Sequence, residues 1–175
     1  MRCFLAIELN EEVKNELIKI QEEIKPFLDA KFVELGNLHL TLKFFGEVDE
    51  KDFREIQEAL KEIKFPKFSV SLGKIGFFPN ENLAKVLWIS LESEEILELS
   101  GKIDTSLINF KDKDFESHVT LARIKNISNK EEFLKKIKDF KIKPISFNVR
   151  DFVLKKSTLT AKGPIYEDVE RFELI

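Results

Sequence analysis

Cysteine is nearly absent from this sequence, with Cys3 the only one in 175 residues. A single cysteine excludes a disulfide within the chain and a zinc site built on cysteine ligands. Cys3 alternates with Arg2 and Phe4 in an apolar first strand. We therefore expect a buried and unreactive thiol.

Long apolar runs are missing as well. No segment approaches the roughly 18 consecutive apolar residues that indicate a membrane-spanning helix. The first nine residues carry Glu8 and lack the apolar stretch of a secretory signal. We expect a soluble, cytoplasmic protein that does not associate with a membrane.

The chain also lacks an excess of positive charge, since 29 Lys and Arg against 32 Asp and Glu give a net charge of -3. Proteins that coat nucleic acid nonspecifically rely on many lysines and arginines to neutralise phosphates. Any basic surface must therefore be local. The hydrophobic fraction of 43% is enough for the core of one domain.

Histidine is scarce, and its two occurrences share one pattern. The sequences are His39-Leu40-Thr41-Leu42 and His118-Val119-Thr120-Leu121. Residues two apart on a strand point to the same face, so each copy presents an imidazole beside a hydroxyl while the residue between them packs inward. One such histidine would be explained by structural packing. Two copies favour a paired function.

The predicted elements occur in the same order in both halves of the chain. Apolar periodicity predicts helices over about 10–24, 50–63, 93–108 and 130–140, and strands over 2–9, 39–45, 68–78, 84–91, 118–124, 145–155 and 165–174, with a link at 31–37. The motifs are 79 residues apart, and the same offset carries 68–70 onto 147–149. We expect one domain, 1–175, made of two interlocked lobes.

Two histidines on related strands indicate a cleft with an imidazole on either side. In-line displacement at phosphorus places the incoming and departing oxygens on opposite sides of the phosphorus atom. A neutral histidine can take a proton from water, and a protonated one can give a proton to the leaving oxygen. Thr41 and Thr120 can donate hydrogen bonds to the non-bridging oxygens. This scheme requires no metal and no cofactor.

The paired motifs resemble those of the 2H phosphoesterases, and more closely those of the RNA 2',3'-cyclic phosphodiesterases, historically called 2'-5' RNA ligases. The similarity includes residues 2–7, 39–47, 118–123, 156–160 and 163–167. It implies an α+β fold with two pseudo-symmetric lobes of helices and antiparallel sheet around a central cleft. It also implies hydrolysis of RNA 2',3'-cyclic phosphate ends to 2'-phosphomonoesters, and the same groups run backwards would give 2'-5' RNA ligation. Nothing in the sequence indicates an obligate protein partner, and we expect a monomer.

The resemblance assigns His39 as proton donor, His118 as proton acceptor, Arg123 as a phosphate contact and Phe4 as an aromatic that stacks on a base. Arg123 follows His118 by five residues, so a regular strand would turn it to the opposite face unless the strand ends or bulges. A solvated arginine is the alternative for Arg123, and core packing is the alternative for Phe4.

Other interpretations stay open at this point. They are a metallohydrolase, a phosphodiesterase for another small cyclic phosphate or nucleotide, and a non-catalytic RNA-binding module. Strand alternation places Lys43 on the face of His39, toward the cleft, and a solvated lysine is the alternative. Lys155, Lys156 and Lys162 bracket the last turn as candidates to contact an RNA backbone, and a charged edge that discourages strand pairing is the alternative. We expect Tyr166 and the Gly163-Pro164 turn to be structural.

Overall fold

Four helices and nine strands make up the fold in the computed structural model, which describes all residues 1–175. The helices are α1 (Glu11–Ile24), α2 (Glu50–Lys61), α3 (Glu94–Ser106) and α4 (Lys130–Asp139). The strands are β1 (Arg2–Glu8), β2 (Leu28–Phe32), β3 (His39–Glu47), β4 (Phe68–Phe78), β5 (Val86–Glu92), β6 (His118–Ile127), β7 (Ser146–Val149), β8 (Asp151–Thr160) and β9 (Gly163–Glu173). The predicted α+β class is confirmed.

Side-chain caps determine where three of the helices begin. The side chains of Asn10, Asp49 and Asn129 each accept a hydrogen bond from the backbone N–H three residues further on. Acidic residues occupy the first turn of each of these helices, where they oppose the helix dipole. The four predicted helices are confirmed to within two residues at each end. None of them has the length and apolar composition needed to cross a membrane.

The strands form one antiparallel sheet in the order β7-β4-β5-β6-β3-β1-β8-β9, with β2 paired to β6. Only Arg150 separates β7 from β8. β7 pairs with β4 and β8 pairs with β1, so one continuous stretch of chain contacts both of these strands. The sheet therefore curls round on itself. Its 37-residue apolar core includes Cys3, which is 1% exposed as predicted.

Residues 79 apart in sequence face each other at two places in this sheet. Leu40 of β3 pairs with Val119 of β6, and Ser69 of β4 pairs with Asn148 of β7. A pseudo-two-fold axis produces this pairing, because it sets equivalent residues opposite one another. The first contact brings the middle residues of the two histidine motifs together at the centre of the sheet.

Strand exchange interlocks the two halves. The first strand, β1, pairs with β3 of its own half and with β8 of the second half. Likewise β5, the equivalent of β1 under the pseudo-two-fold axis, pairs with β6 of the second half and with β4 of the first half. Two predicted boundaries were wrong: the strand at 145–155 is divided at Arg150, and residues 28–32 form β2. β2 is only five residues long and pairs only with β6, so its sequence is too short to show the two-residue period that predicts a strand.

Candidate active site

A β-bulge in β6 brings Arg123 to the face of the second motif. The pairing of β5 with β6 skips Leu121, and both Leu121 and Ala122 are fully buried. Two successive inward residues shift the strand alternation by one position. Arg123 consequently lines the same cleft as His118 and Thr120. The condition set from the sequence, that the strand ends or bulges before Arg123, is met by this bulge after Thr120.

The equivalent bulge in β3 turns Lys43 away from the first motif. The pairing of β1 with β3 skips Leu42, and both Leu42 and Lys43 are buried. Lys43 is 3% exposed, and its Nζ donates to Oδ1 of Asp104 at 2.6 Å. The prediction that Lys43 faces the cleft with His39 was wrong because the bulge reverses its direction. Phe44 lines the cleft instead.

The two lobes therefore contribute different residues at equivalent positions. Phe44 and Arg123 are 79 residues apart, and each follows its bulge. Phe44 is 53% exposed, with its ring at the cleft. One wall of the cleft is aromatic at this position and the other is cationic.

Both histidine motifs line a single cleft with a volume of about 220 Å³. The structure brings His39, Thr41, His118 and Thr120 together there, as the sequence predicts. Further cleft residues for which the sequence predicted no contact with a ligand include Lys31, Phe44 and Tyr166. Among all residues, no group of three or more His, Cys, Asp or Glu side chains is arranged to hold a metal ion.

Backbone carbonyls determine the tautomer of each neutral histidine. The Nδ1 atom of His39 lies 2.7 Å from the carbonyl oxygen of Asn37, and Nδ1 of His118 lies 2.7 Å from that of Glu116. A carbonyl oxygen only accepts, so we assign the hydrogen to Nδ1 in both rings. Nε2 of His39 then accepts from the Thr41 hydroxyl at 2.9 Å. In each ring Nε2 carries no hydrogen and is the atom that can take up a proton.

Aromatic rings pack on both histidines. Phe4 stacks on His39 with ring centroids 5.0 Å apart, and Tyr166 meets His39 edge-on at 5.3 Å. On the other side, Phe78 meets His118 edge-on at 4.9 Å. This packing removes water from the imidazoles and disfavours their charged forms.

The pKa of each histidine is low as a result. The pKa of His39 is lowered to about 4, mainly by burial, with a smaller lowering by nearby Lys155 and an opposing effect of the hydrogen bond to the Asn37 carbonyl. Burial also lowers the pKa of His118 below 6.5, while the hydrogen bond to the Glu116 carbonyl acts in the opposite direction. Both imidazoles are therefore neutral near pH 7 in the free protein.

Phe4 lies in the interior and outside the cleft lining. Its side chain is 2% exposed, with its ring against His39, Phe44 and Tyr166. No face of the ring is open to a base, so the structure supports the core alternative for Phe4. Tyr166, expected to be structural only, lines the cleft.

The lysines near the last turn have different surroundings. Lys155 is buried and pairs with Glu8 and with Asp168, the latter at 2.6 Å. Lys162 lies in the β8–β9 turn and lines the cleft. Lys156 is not part of the cleft lining. Only one of the three lysines therefore lines the cleft.

Gly76 leaves room for the aromatic packing behind His118. A Cβ atom at Gly76 would lie 2.3 Å from Cζ2 of Trp88, whose ring centroid is 6.3 Å from that of His118. Replacing Gly76 with alanine should displace the indole and lower the free energy of unfolding by about 1–3 kcal/mol. Urea unfolding measures this loss.

The matched control is Gly101→Ala in α3. A Cβ atom at Gly101 meets nothing within 4 Å, so this variant should gain about 0.5–1 kcal/mol through helix propensity. Similar changes in both variants would contradict the packing role of Gly76.

The chain is similar to proteins of known class. It matches the family described as LigT like Phosphoesterase twice, over residues 7–88 and 89–166. It is 38% identical over 176 residues to the RNA 2',3'-cyclic phosphodiesterase of Methanocaldococcus jannaschii, covering 98% of this chain and 100% of that protein. The corresponding protein of Archaeoglobus fulgidus is 36% identical over 178 residues, covering 99% and 100%. The crystal structure of TT0787 of Thermus thermophilus superposes with a TM-score of 0.82 at 30% identity, covering 99% of this chain and 97% of that one.

Proposed function

Because the chain belongs to the LigT-like phosphoesterase family, we propose that it is an RNA 2',3'-cyclic phosphodiesterase. The observation that carries this proposal is the cleft in which His39, Thr41, His118, Thr120 and Arg123 meet. The two histidines come from strands related by the pseudo-two-fold axis, as a displacement with entering and leaving groups on opposite sides requires.

The proposed reaction opens the cyclic phosphate with water. Nε2 of His118 takes a proton from the attacking water, and the bond from phosphorus to the 3'-oxygen breaks. Nε2 of His39 gives its proton to that leaving oxygen, so the products are a 2'-phosphate and a 3'-hydroxyl. The Thr41 and Thr120 hydroxyls and the Arg123 guanidinium donate to the non-bridging oxygens, where negative charge accumulates.

His39, the proposed proton donor, must acquire its proton in the complex with the substrate. His39 has a pKa of about 4 in the free protein, so it is neutral near pH 7. A bound phosphate places negative charge beside Nε2, which favours the imidazolium form and raises the pKa of His39. Substrate binding thus prepares the proton donor, and the mechanism requires His118 to be neutral as the acceptor.

The cleft walls suit the end of an RNA chain. The exposed ring of Phe44 offers a surface for a nucleobase, and stacking of this kind tolerates any base. The same groups acting on a 5'-hydroxyl in place of water would form a 2'-5' linkage.

We further propose a monomer without an obligate protein partner, because one chain supplies both motifs. We also propose that it acts in the cytoplasm.

The test is to incubate the protein, with EDTA present, with a short RNA ending in a 2',3'-cyclic phosphate and to identify the product by phosphorus NMR. We expect the 2'-phosphate. A 3'-phosphate would contradict departure of the 3'-oxygen. No turnover, with the RNA still bound, would favour the non-catalytic RNA-binding alternative, and turnover that EDTA abolishes would favour a metallohydrolase.

Arg123→Gln should lower kcat/KM for this RNA by about 10- to 100-fold. A hydrogen bond to a charged group is worth about 1.5–3 kcal/mol, and the glutamine removes both the charge and the paired donors. Steady-state kinetics gives the change. Arg54→Gln is the control, because Arg54 is exposed on α2 and lies outside the cleft. Equal effects in the two variants would argue against a phosphate contact by Arg123.

A further inference from the structure

Three cations line one side of the cleft without an acidic partner. Lys31, Arg123 and Lys162 all line the cleft, and no carboxylate lies within 4.0 Å of their charged nitrogens. Glu34 also lines the cleft but forms no ion pair with them. Isolated unpaired lysines are ordinary on a solvated surface. Three cations along one wall repel each other and attract an anion.

The β2 strand sets Lys31 beside Arg123. The two residues are directly opposite in the antiparallel pairing of β2 with β6. Opposite residues on one sheet face have Cβ atoms about 5 Å apart. Lys31 therefore extends the cationic wall outward from the proposed contact of Arg123 with the terminal phosphate.

The β8–β9 turn adds Lys162 to the same rim. The Nζ atom of Lys31 lies 3.2 Å from the position that a Cβ atom would occupy at Gly163, the residue after Lys162. The side-chain amide of Asn37 donates to the carbonyl oxygen of Pro164 at 3.3 Å, which joins this turn to the segment that precedes His39. Lys31 and Lys162 thus form one rim, and we refer to this pair as the lysine rim.

The other lobe has no counterpart of the lysine rim. The residue 79 positions after Lys31 is Phe110, whose ring packs edge-on against Phe45 with centroids 6.0 Å apart. Phe44 holds the position equivalent to Arg123. The cationic wall therefore exists on one side of the pseudo-symmetric cleft only, which gives a bound chain one preferred direction.

We propose that the lysine rim is a second phosphate subsite, which binds the phosphodiester joining the last two nucleotides of the RNA. This inference rests on the proposed function. The histidine motifs and Arg123 engage the terminal cyclic phosphate, and the next phosphate of the chain follows one nucleotide away. A nucleoside 2',3'-cyclic phosphate carries only the terminal group. The subsite therefore distinguishes an RNA end from a mononucleotide.

The experiment compares a dinucleotide ending in a 2',3'-cyclic phosphate with the matching nucleoside 2',3'-cyclic phosphate. The Lys31→Gln/Lys162→Gln double variant should lose about tenfold in kcat/KM on the dinucleotide, and less than about twofold on the nucleoside. Arg123→Gln should lower both. The control is Lys143→Gln, an exposed lysine outside the cleft, which should change neither.

Salt provides a second readout of the same subsite. The kcat/KM of the unaltered enzyme should fall more steeply with salt for the dinucleotide than for the nucleoside, because one more phosphate is neutralised. The double variant should remove that difference. Equal losses on both substrates, or no loss on either, would overturn the subsite.

Failure of the proposed function can be told apart from failure of the subsite. If the unaltered protein turns over neither compound, the hydrolytic function fails. Calorimetric binding of the dinucleotide ending in a 2'-phosphate, compared with the nucleoside 2'-phosphate, then measures the subsite without turnover. An affinity advantage for the dinucleotide that the double variant abolishes supports the subsite, and an advantage that survives overturns it.

Discussion

Replacing His118 with glutamine is expected to lower kcat on an RNA 2',3'-cyclic phosphate by about 10² to 10⁴-fold, the range for loss of a general base. Glutamine keeps a polar side chain in the cleft but cannot accept the proton of the attacking water at neutral pH. His39→Gln should lower kcat by a similar factor, because the 3'-oxygen would then leave without receiving a proton. Single-turnover kinetics on both variants measures the chemical step directly.

The double variant discriminates between a concerted pair and two independent groups. If both histidines act in one displacement, the loss of kcat in the double variant should be much smaller than the product of the losses in the two single variants. Binding of the 2'-phosphate product should persist in all three variants, which controls for folding and for the shape of the cleft. Turnover that survives in both single variants would contradict the two-histidine mechanism.

His39 is also expected to make the free protein less stable as the pH falls from 6.5 to 4. Its pKa is about 4 in the folded protein, against 6.5 for an exposed histidine, so the unfolded chain binds the proton more readily in this window. The stabilisation is complete above pH 6.5 and is lost as the pH falls through 4. This difference between the folded and unfolded pKa of His39 corresponds to about 3 kcal/mol in the free energy of unfolding.

Urea unfolding of the unaltered protein and of His39→Gln between pH 7 and pH 4 measures this effect. Carboxylates titrate in both proteins, so the difference between the two curves reports His39. Parallel curves would contradict the low pKa. Proton NMR of the His39 ring gives the titration itself, and adding a nucleoside 2'-phosphate should move it to higher pH because the bound anion favours the imidazolium.

The packing that lowers the pKa of His39 comes from both ends of the chain. Phe4 belongs to β1 and Tyr166 to β9, and the two rings meet on His39 because β1 pairs with β3 and β8, and β8 with β9. For Phe4 the sequence left base stacking and core packing open, and for Tyr166 it predicted a structural role alone. Strand order decides which ring is covered and which borders the cleft, and strand order is not a local property.

Local properties of the sequence were enough for much of the fold and for the motif residues. The 3.6-residue apolar period located the helices, and in the structure caps at Asn10, Asp49 and Asn129 begin three of them, because these signals act within a few residues. The two-residue period of a strand set His39 beside Thr41 and His118 beside Thr120 for the same reason. The repeat of 79 residues indicated that the two motifs are related.

Tertiary structure alone decided the rest of the cleft. Each bulge arises where a neighbouring strand, β1 or β5, skips one residue of the motif strand, and that mismatch depends on a pairing partner far away in sequence. The bulges turn Arg123 into the cleft and Lys43 out of it. The short strand β2 likewise places Lys31 opposite Arg123 through pairing with β6. Alternation within one strand determines the face of a side chain only until a partner strand interrupts it.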